Sequence, residues 1–554
     1  MTERDRKGWN RRLALGGGAA AALGAGGYWL SRTGGRAQHT VTPEGVFHHG
    51  NVADPGSLDP SYFQNESEQN LLEDFFLGLM TPDPAANPIP GMATSWTTSE
   101  DGLTWTFKLR EAQWSDGAPV TADDFVFSWR RLVDPKVAAP YAYFIYGVKN
   151  AKAVNSGKMN LEALGVAAPD PRTFVISLEH PAPYLLEMVT HMTLYPLPRH
   201  VVEAKGKEWT KAENYVCNGP FTLVEWVPHD HITARKNPRF YDAENVKLET
   251  VIYYPTDDYA AALKQFRAGE LDIQLRLDSQ QIDWIRANMP ETIDPTPQLT
   301  VEWVWVNHRR APFGDIRVRA AINQVLNREV IANKIRRVGD APAYNIVPPG
   351  TANFPGGNSL DFKSIPYPQR LANAQSLMRQ AGFGPGKRLS TTFMIRSTAA
   401  GSYRAVAAAI QQMLALIYID VAIIPNDFSI FITETQQHNF DMCESAWGAD
   451  FNDAETFLTI FQTGGGNNDG QYSNPAFDAL LAAEQKEKDL VARGQILAEA
   501  EAFLLKDHAI MPLYFFADPD MVRPYVKGWV ANSVNYHLSR WISIDQKARA
   551  ALFT

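Results

Sequence analysis

Several signatures of enzymatic and cofactor sites are missing from this sequence of 554 residues. It contains no G-x-x-x-x-G-K-[ST] loop for nucleotide phosphates, no G-x-S-x-G nucleophile turn and no H-E-x-x-H zinc motif. A net charge of -9, with acidic and basic residues spread along the chain, argues against a nucleic-acid partner. We therefore expect no catalytic activity, no cofactor and no metal site.

Cysteine is scarce, with only Cys217 and Cys443 in the whole chain. Two cysteines are too few for a structural zinc site or a disulfide scaffold. They allow either one disulfide between distant segments or two separate buried thiols, and the sequence leaves both alternatives open.

What the chain does contain is apolar material for large cores, since 45% of its residues are hydrophobic. A chain of this length is expected to form at least two folding units. Amphipathic helices are predicted over residues 121–132 and 317–335, and a third ends at Gly382. Strand-like runs at 105–109, 173–178, 251–254 and 300–306 alternate with such helices, which predicts a mixed α/β fold.

Residues 1–40 have a different composition. A basic stretch that includes Arg11 and Arg12 precedes the uncharged Ala/Gly-rich run 13–30. This layout is typical of an export signal, and the arginine pair resembles a twin-arginine signal. Because the run has 18 residues, an uncleaved N-terminal membrane anchor is an equal alternative. In both cases we expect the body of the protein in the periplasm.

A series of short motifs follows in a fixed order along nearly the whole remaining chain. They include SLDP at 57–60, ATSW at 93–96, WTFKLR at 105–110, WSDG at 114–117, VTADDF at 120–125, NGP at 218–220, RKNP at 235–238, GELD at 269–272, DIRVR at 315–319 and AWGAD at 446–450. In this order they resemble the peptide/nickel family of ABC substrate-binding proteins, family 5, and especially its oligopeptide-binding branch.

The resemblance implies a two-lobed periplasmic-binding-protein fold of type II, cluster C, with a hinge between the lobes and an extra small subdomain. Lobe I would comprise residues 41–76, 200–299 and 517–554. The extra subdomain would occupy residues 77–199, and lobe II residues 300–516.

The same resemblance implies a ligand cleft in which a peptide lies extended between the lobes. Asp450 matches the family's carboxylate for the peptide α-ammonium group. The strand residues Ala446, Trp447 and Gly448, and the stretch from Gln64 to Glu66, match the two backbone edges that pair with the peptide. Tyr141 and Trp447 match positions that line the cleft.

Other cleft positions depart from the family's pattern. Gln64 and Trp305 stand where the best-known oligopeptide binders have Glu, and Glu444 stands where they have Arg. Thr435 and Ser402 replace an Arg and a His that meet peptide C-termini in relatives. Arg276 and Arg396 fall near cleft positions that are usually uncharged. They predict an acidic group on the ligand, unless they are ordinary solvated surface arginines.

The resemblance thus predicts a non-enzymatic, monomeric receptor that delivers short peptides or peptide-like ligands to an ABC permease and its ATPase at the inner membrane. A receptor for a modified peptide such as a muropeptide, or for a non-peptide solute, is the alternative within the family. An anchored sensor or chaperone that uses the same clamp is the alternative from another class.

Overall fold

A computed structural model describes residues 44–277, 280–294, 297–397, 402–517 and 519–552. The predicted export signal or anchor at residues 1–40 lies outside these ranges. Within them, no helix combines the length and the apolar character that crossing a membrane requires.

The strands and helices of the described ranges alternate along the chain. The strands are β1 (Val46–Asn51), β2 (Met80–Pro82), β3 (Pro88–Pro90), β4 (Ala93–Thr98), β5 (Thr104–Leu109), β6 (Val166–Asp170), β7 (Thr173–Ser177), β8 (Phe221–Val227), β9 (His231–Lys236), β10 (Thr250–Pro255), β11 (Ile273–Gln274), β12 (Ile293–Asp294), β13 (Thr300–Val306), β14 (Ala341–Pro342), β15 (Leu389–Arg396), β16 (Ile419–Asn426), β17 (Met442–Gly448), β18 (Met511–Phe515), β19 (Asp520–Val522), β20 (Val526–Lys527) and β21 (Ser543–Ile544). The α-helices are α1 (Glu66–Phe75), α2 (Ala122–Val133), α3 (Ala151–Asn155), α4 (Leu185–Met188), α5 (Arg199–Lys205), α6 (Tyr259–Ala268), α7 (Ile282–Asn288), α8 (Ile316–Val325), α9 (Arg328–Val330), α10 (Tyr367–Gln380), α11 (Ser402–Ala415), α12 (Phe428–Gln436), α13 (Glu455–Leu458), α14 (Pro475–Glu484), α15 (Leu490–Lys506) and α16 (Gln546–Leu552).

Three larger sheets organise these elements. A seven-stranded mixed sheet has the order β12-β19-β11-β1-β10-β9-β8, with β1 parallel to both β10 and β11. A six-stranded mixed sheet has the order β14-β18-β13-β17-β15-β16. A four-stranded antiparallel sheet, β4-β5-β7-β6, is formed entirely by residues from the segment between α1 and α4.

Both faces of the six-stranded sheet are packed against hydrophobic clusters, and the side chains of β13 show this. Successive side chains of a strand point to opposite faces. Trp303 and Trp305 pack into one hydrophobic cluster, and Val304 and Val306 pack into a second. A strand buried on both sides reads as a nearly continuous apolar run, and TVEWVWV has that character.

The predicted strands and the first predicted helix are confirmed. Helix α2 begins with a capping box in which Thr121 and Asp124 satisfy each other's backbone N–H groups. Helix α10 ends at Gln380, and Gly382 follows with φ +90°.

The single helix predicted over residues 317–335 is wrong. Helix α8 ends at Val325 because Leu326 is extended, with ψ 113°. The Asn327 side chain then accepts a hydrogen bond from the N–H of Val330, which starts a separate helical turn.

The two cysteines are free and buried. Cys217 lies in the cluster that packs around the four-stranded sheet, and Cys443 lies on β17 in the core of the six-stranded sheet. Of the two alternatives that the sequence left open, the structure has the separate thiols.

Candidate ligand-binding site

A cavity of about 710 Å³ lies between the segment that carries α4 and the segment that follows β17. Its walls combine aromatic and aliphatic side chains with polar ones, among them Lys152, His180, Glu455 and Gln462. One wall includes Tyr143, Phe144, Tyr184, Leu185 and Met188; the other includes Trp447, Asp450, Phe451, Thr456 and Ile460. Concave, mostly apolar sites with few polar groups are typical of ligand pockets.

Asp450 is held by Tyr141, which lies next to the cavity wall that carries Tyr143, and by Thr456 of its own wall. The Tyr141 hydroxyl donates to the Asp450 carboxylate at 3.4 Å from Oη to Oδ1. The Thr456 hydroxyl accepts hydrogen bonds from the backbone N–H of Asp450 (3.4 Å) and from the Trp447 indole N–H (3.2 Å). Thr456 therefore fixes the turn that presents Trp447 and Asp450 together.

The environment of Asp450 lacks a compensating positive charge. Among the described residues, no Lys, Arg or His side chain forms an ion pair with its carboxylate. Burial raises the pKa of Asp450 to about 7, and the hydrogen bond from Tyr141 opposes this shift only in part. A carboxylate in this situation gains strongly when a ligand brings a cation to it.

Aromatic rings surround this carboxylate on the side of Tyr141. The Tyr141 ring stacks on His191 with centroids 5.3 Å apart and contacts Phe63 edge-on at 5.1 Å. Across the cavity, Phe451 stacks on Tyr184 at 5.3 Å between centroids. These ring contacts join the segment around the four-stranded sheet to the segment that follows β17.

Strand β17 has a backbone edge with little pairing. One edge pairs with β13 from Met442 to Gly448. On the other edge, β15 pairs only with Met442 and Cys443. Within the described ranges, residues 444–448, which include the predicted positions Ala446, Trp447 and Gly448, therefore have no strand on that edge. Such an edge offers hydrogen-bonding groups to an extended ligand.

Gln64 and Glu66 lie at the start of α1. Gln64 is exposed. The backbone N–H groups of Gln64 and Asn65 both donate to the Glu68 carboxylate, at 2.6 and 3.2 Å. The capping of α1 thus uses two N–H groups of this predicted peptide-pairing edge, and the Asn65 carbonyl accepts from the N–H groups of Glu68 and Gln69, both at 3.2 Å. Much of the backbone of this stretch is therefore already used by the start of α1.

The two arginines predicted in the cleft each form an ion pair with a predicted site glutamate. Arg276 pairs with Glu66 at 2.5 Å. The Arg396 guanidinium and backbone N–H both donate to Glu444 Oε1, at 3.0 and 2.5 Å. The Arg276 side chain is 43% exposed, as the alternative of a solvated arginine requires, whereas the Arg396 side chain is only 19% exposed. Each arginine has a carboxylate of the chain as its counter-charge.

Of the predicted site residues, Trp447 and Asp450 line the cavity, and two others, Trp305 and Thr435, are buried away from it. Trp305 is only 1% exposed and packs against Trp303 and Phe461. This placement gives Trp305 a packing role, and we omit it from the proposed ligand set. The buried Thr435 hydroxyl donates to the Phe431 carbonyl of its own helix at 2.7 Å. The side chain of Ser402 lies outside the described part of the chain.

Sequence reasoning missed several residues that build the site, among them Tyr143, Thr456 and Phe451. Signals for two of them were present, because Phe451 directly follows Asp450 and Tyr143 lies two residues after Tyr141. Thr456 had no such signal, since its role depends on the turn that brings it back to Trp447.

A buried ion cluster next to the cavity was also missed. Arg493, which is 1% exposed, donates to both oxygens of Asp453 at 2.9 and 2.8 Å and to Glu484 at 2.8 Å. The Tyr184 ring faces its guanidinium at 4.3 Å, and Glu455 is 3.6 Å away. Burial raises the pKa of both Glu455 and Glu484 despite this arginine. The cluster thus holds α13, α14 and α15 beside the wall that carries Tyr184.

The sequence is similar to bacterial solute-binding proteins. The profile of the bacterial extracellular solute-binding proteins, family 5 (middle), matches residues 87–469. The periplasmic oligopeptide-binding protein OppA of Salmonella typhimurium is 34% identical over 486 residues, which cover 86% of this chain and 88% of the relative. The probable deoxycholate-binding periplasmic protein YgiS of Escherichia coli is 32% identical over 508 residues, which cover 91% and 94%.

A solved structure gives a similar result. The crystal structure of Haemophilus influenzae OppA in complex with RPPGFSPFR has a TM-score of 0.81 and 32% identity, and the match covers 91% of this chain and all of the other. The similarity confirms the predicted two-lobed mixed α/β fold.

Proposed function

The chain belongs to family 5 of the bacterial extracellular solute-binding proteins, and we propose from this that it is a periplasmic receptor for short peptides or peptide-like ligands, serving an ABC importer. Its relatives include periplasmic oligopeptide-binding proteins, one of them similar in structure as a peptide complex. The role is non-enzymatic binding, and ATP hydrolysis belongs to the partner ATPase.

The observation that carries this proposal is the Asp450 carboxylate at the cavity wall. Among the described residues it forms no ion pair, and burial raises its pKa. A peptide's α-ammonium group supplies both the charge and hydrogen-bond donors. Removing one partner of such a pair typically costs about 2 to 5 kcal/mol.

The backbone edge of residues 444–448 supports an extended ligand conformation. Hydrogen bonds to this edge are common to every peptide, so they favour broad side-chain tolerance. About six such bonds at roughly 1 kcal/mol each approach the ~8 kcal/mol of micromolar affinity. Ordering the ligand lowers this sum, so the ion pair at Asp450 is needed as well.

The proposed mechanism is closure of two lobes on the ligand. We assign lobe I to residues 41–76, 200–299 and 517–554, the extra subdomain to 77–199 and lobe II to 300–516, which the membership of the three sheets supports. Because Asp450 and its Tyr141 partner come from different segments, a ligand at Asp450 contacts both and biases the equilibrium toward closure. The closed complex then docks on an inner-membrane permease.

A calorimetric titration tests the proposal. The purified protein is titrated with a tetrapeptide that has a free N-terminus and with its N-acetylated form, at pH 7.5. We expect micromolar or tighter binding of the free peptide and at least tenfold weaker binding of the acetylated one. Equal affinities, or no binding of a panel of short peptides, would contradict the proposal.

A non-peptide solute is the second candidate, favoured by the aromatic cavity walls and by the similarity to the probable deoxycholate-binding protein. Deoxycholate is an anion, however, and Asp450 offers it repulsion rather than a counter-charge. Titration with deoxycholate in the same experiment distinguishes the two candidates.

A further inference from the structure

The charges around the cleft are distributed unevenly. Asp450 has a carboxylate whose ion-pair partner is absent among the described residues, so it can accept a cationic group from a ligand. Arg276 and Arg396, in contrast, each hold a glutamate of the chain. The cleft therefore offers an anion to a ligand cation, while each of the two arginines has a carboxylate partner in the chain, although Arg396 Nη2 makes no hydrogen bond within the described ranges.

The pairing of Arg396 goes beyond a single contact. Glu444 accepts hydrogen bonds from both the guanidinium Nε–H and the backbone N–H of Arg396. A second carboxylate, Glu302 on β13, lies 3.9 Å from the same guanidinium and is 2% exposed. Two carboxylates therefore face one guanidinium, and burial raises the pKa of both. With Glu444 ionised, this group carries no net positive charge, whether Glu302 is protonated or ionised.

This group and Asp450 lie at opposite ends of one stretch of chain. Strand β17 ends at Gly448, and the turn fixed by Thr456 follows, so the extended part from Glu444 to Gly448 spans roughly 13 Å. An extended peptide that places its ammonium group on Asp450 and follows the open edge of β17 reaches Glu444 with about its fourth or fifth residue. The far end of a pentapeptide therefore meets the Arg396 group.

A negative charge at that far end would gain little from other basic residues. Lys152, which lines the cavity, and Arg404, whose guanidinium is 3.5 Å from the Ser397 hydroxyl, are both exposed, so water and salt screen them. The internal residues outside the described ranges include no Lys, Arg or His. A ligand carboxylate would instead lie close to Glu444.

We propose that this receptor selects ligands whose end distal to Asp450 carries no carboxylate, such as a peptide with a C-terminal amide or another uncharged terminus. The inference rests on the proposed function, because it takes the α-ammonium group at Asp450 as given. It reverses the expectation of an acidic ligand group that the two arginines suggested in the sequence.

Calorimetry with pentaalanine as the free acid and as the C-terminal amide, both with a free N-terminus, tests the proposal at 150 mM salt. We expect the wild-type protein to bind the amide at least threefold more tightly than the acid. A smaller ratio, or a preference for the acid, would overturn the inference and leave the proposed function intact. If neither peptide bound, the proposed function itself would fail, and the inference with it.

Two matched variants locate the effect. Glu444→Gln keeps a hydrogen-bond acceptor for Arg396 but removes the charge, so we expect the ratio of affinities to shift at least threefold toward the free acid. Asp420→Asn removes the carboxylate partner of Arg388 at an exposed site in the same way and should leave the ratio within twofold of the wild type. An unchanged ratio in Glu444→Gln, or a shift caused by Asp420→Asn alone, would overturn the placement of the distal end at Arg396.

Discussion

Binding of a cationic ligand should depend on pH through Asp450. In the ligand-free protein, burial raises the pKa of this carboxyl group to about 7, so it is largely protonated in mild acid. The α-ammonium group of a peptide requires the ionised form. Peptide affinity should therefore fall as the pH drops below 7, because a proton must leave Asp450 before the ion pair can form.

The size of the effect follows from the two ionisation equilibria. With a pKa of about 7 for Asp450 and about 8 for a peptide α-amino group, the fraction of encounters with both groups charged peaks near pH 7.5. At pH 5.5 only about 3% of Asp450 is ionised, which makes binding about 20-fold weaker than at the optimum. Above pH 8 the affinity falls again, because the peptide loses its charge.

Isothermal titration calorimetry from pH 5.5 to 8.5, in buffers with different ionisation enthalpies, measures both the affinity and the protons released. Other buried acids titrate nearby, for example Glu187, whose pKa is raised to about 7. The Asp450→Asn variant separates the titration of Asp450 from that of the other acids, because it removes only the fall in affinity at low pH that Asp450 causes. A wild-type affinity that is constant from pH 5.5 to 7.5, or a fall in affinity at low pH that persists in Asp450→Asn, would refute the reasoning.

Three further predictions concern stability. Asp450→Asn should stabilise the ligand-free protein at pH 8 by up to about 4 kcal/mol in chemical denaturation, because the folded-state pKa of about 7 lies roughly three pH units above the unfolded value and ionisation of Asp450 costs stability as the pH rises from 4 to 7. No change in stability would contradict the burial of its charge. Arg493→Met should lower the free energy of unfolding by about 3 to 5 kcal/mol, since it leaves buried carboxylates unpaired. Arg388→Met, at an exposed ion pair, should lower it by under about 1 kcal/mol. Similar losses for the two variants would contradict this ranking. Reductant should leave the melting temperature unchanged, and a thiol reagent should label Cys217 and Cys443 only after unfolding; rapid labelling of the folded protein would show that they are not buried.

The local elements of the fold could be predicted well from the sequence. The capping box at Thr121 and Asp124 fixes the start of α2, and the apolar alternation of β5 and β13 identifies them as strands. The order of motifs identified the family, and the resemblance predicted Asp450 as a ligand residue. These signals are local in the sequence, so they can be interpreted without knowledge of the tertiary contacts.

The charges of the cleft could not be predicted in the same way. Arg276 and Glu66 are 210 residues apart in the sequence, and Arg396 and Glu444 are 48 apart. Which acidic side chain pairs with which basic one depends on how the tertiary structure brings distant strands and loops together. The arginines therefore suggested an acidic ligand only as long as their partners were unknown.

The burial of Trp305 follows from the alternation of side chains along β13. In TVEWVWV, Trp303 and Trp305 are two residues apart and must point to the same face of β13. Two tryptophans on one face of a strand buried on both sides indicate a core position. Strand alternation should therefore take precedence over motif matching when cleft residues are assigned.

The proposed recognition of peptides depends most on the pairing of Asp450 with a cationic group of the ligand. The most direct test compares the calorimetric affinity of a free-amine tetrapeptide for the wild type, Asp450→Asn and the control Asp420→Asn, whose carboxylate pairs with Arg388 at an exposed site. At pH 7.5 we expect at least tenfold weaker binding to Asp450→Asn and an unchanged affinity for Asp420→Asn. An Asp450→Asn variant that binds the peptide as tightly as the wild type would contradict the account.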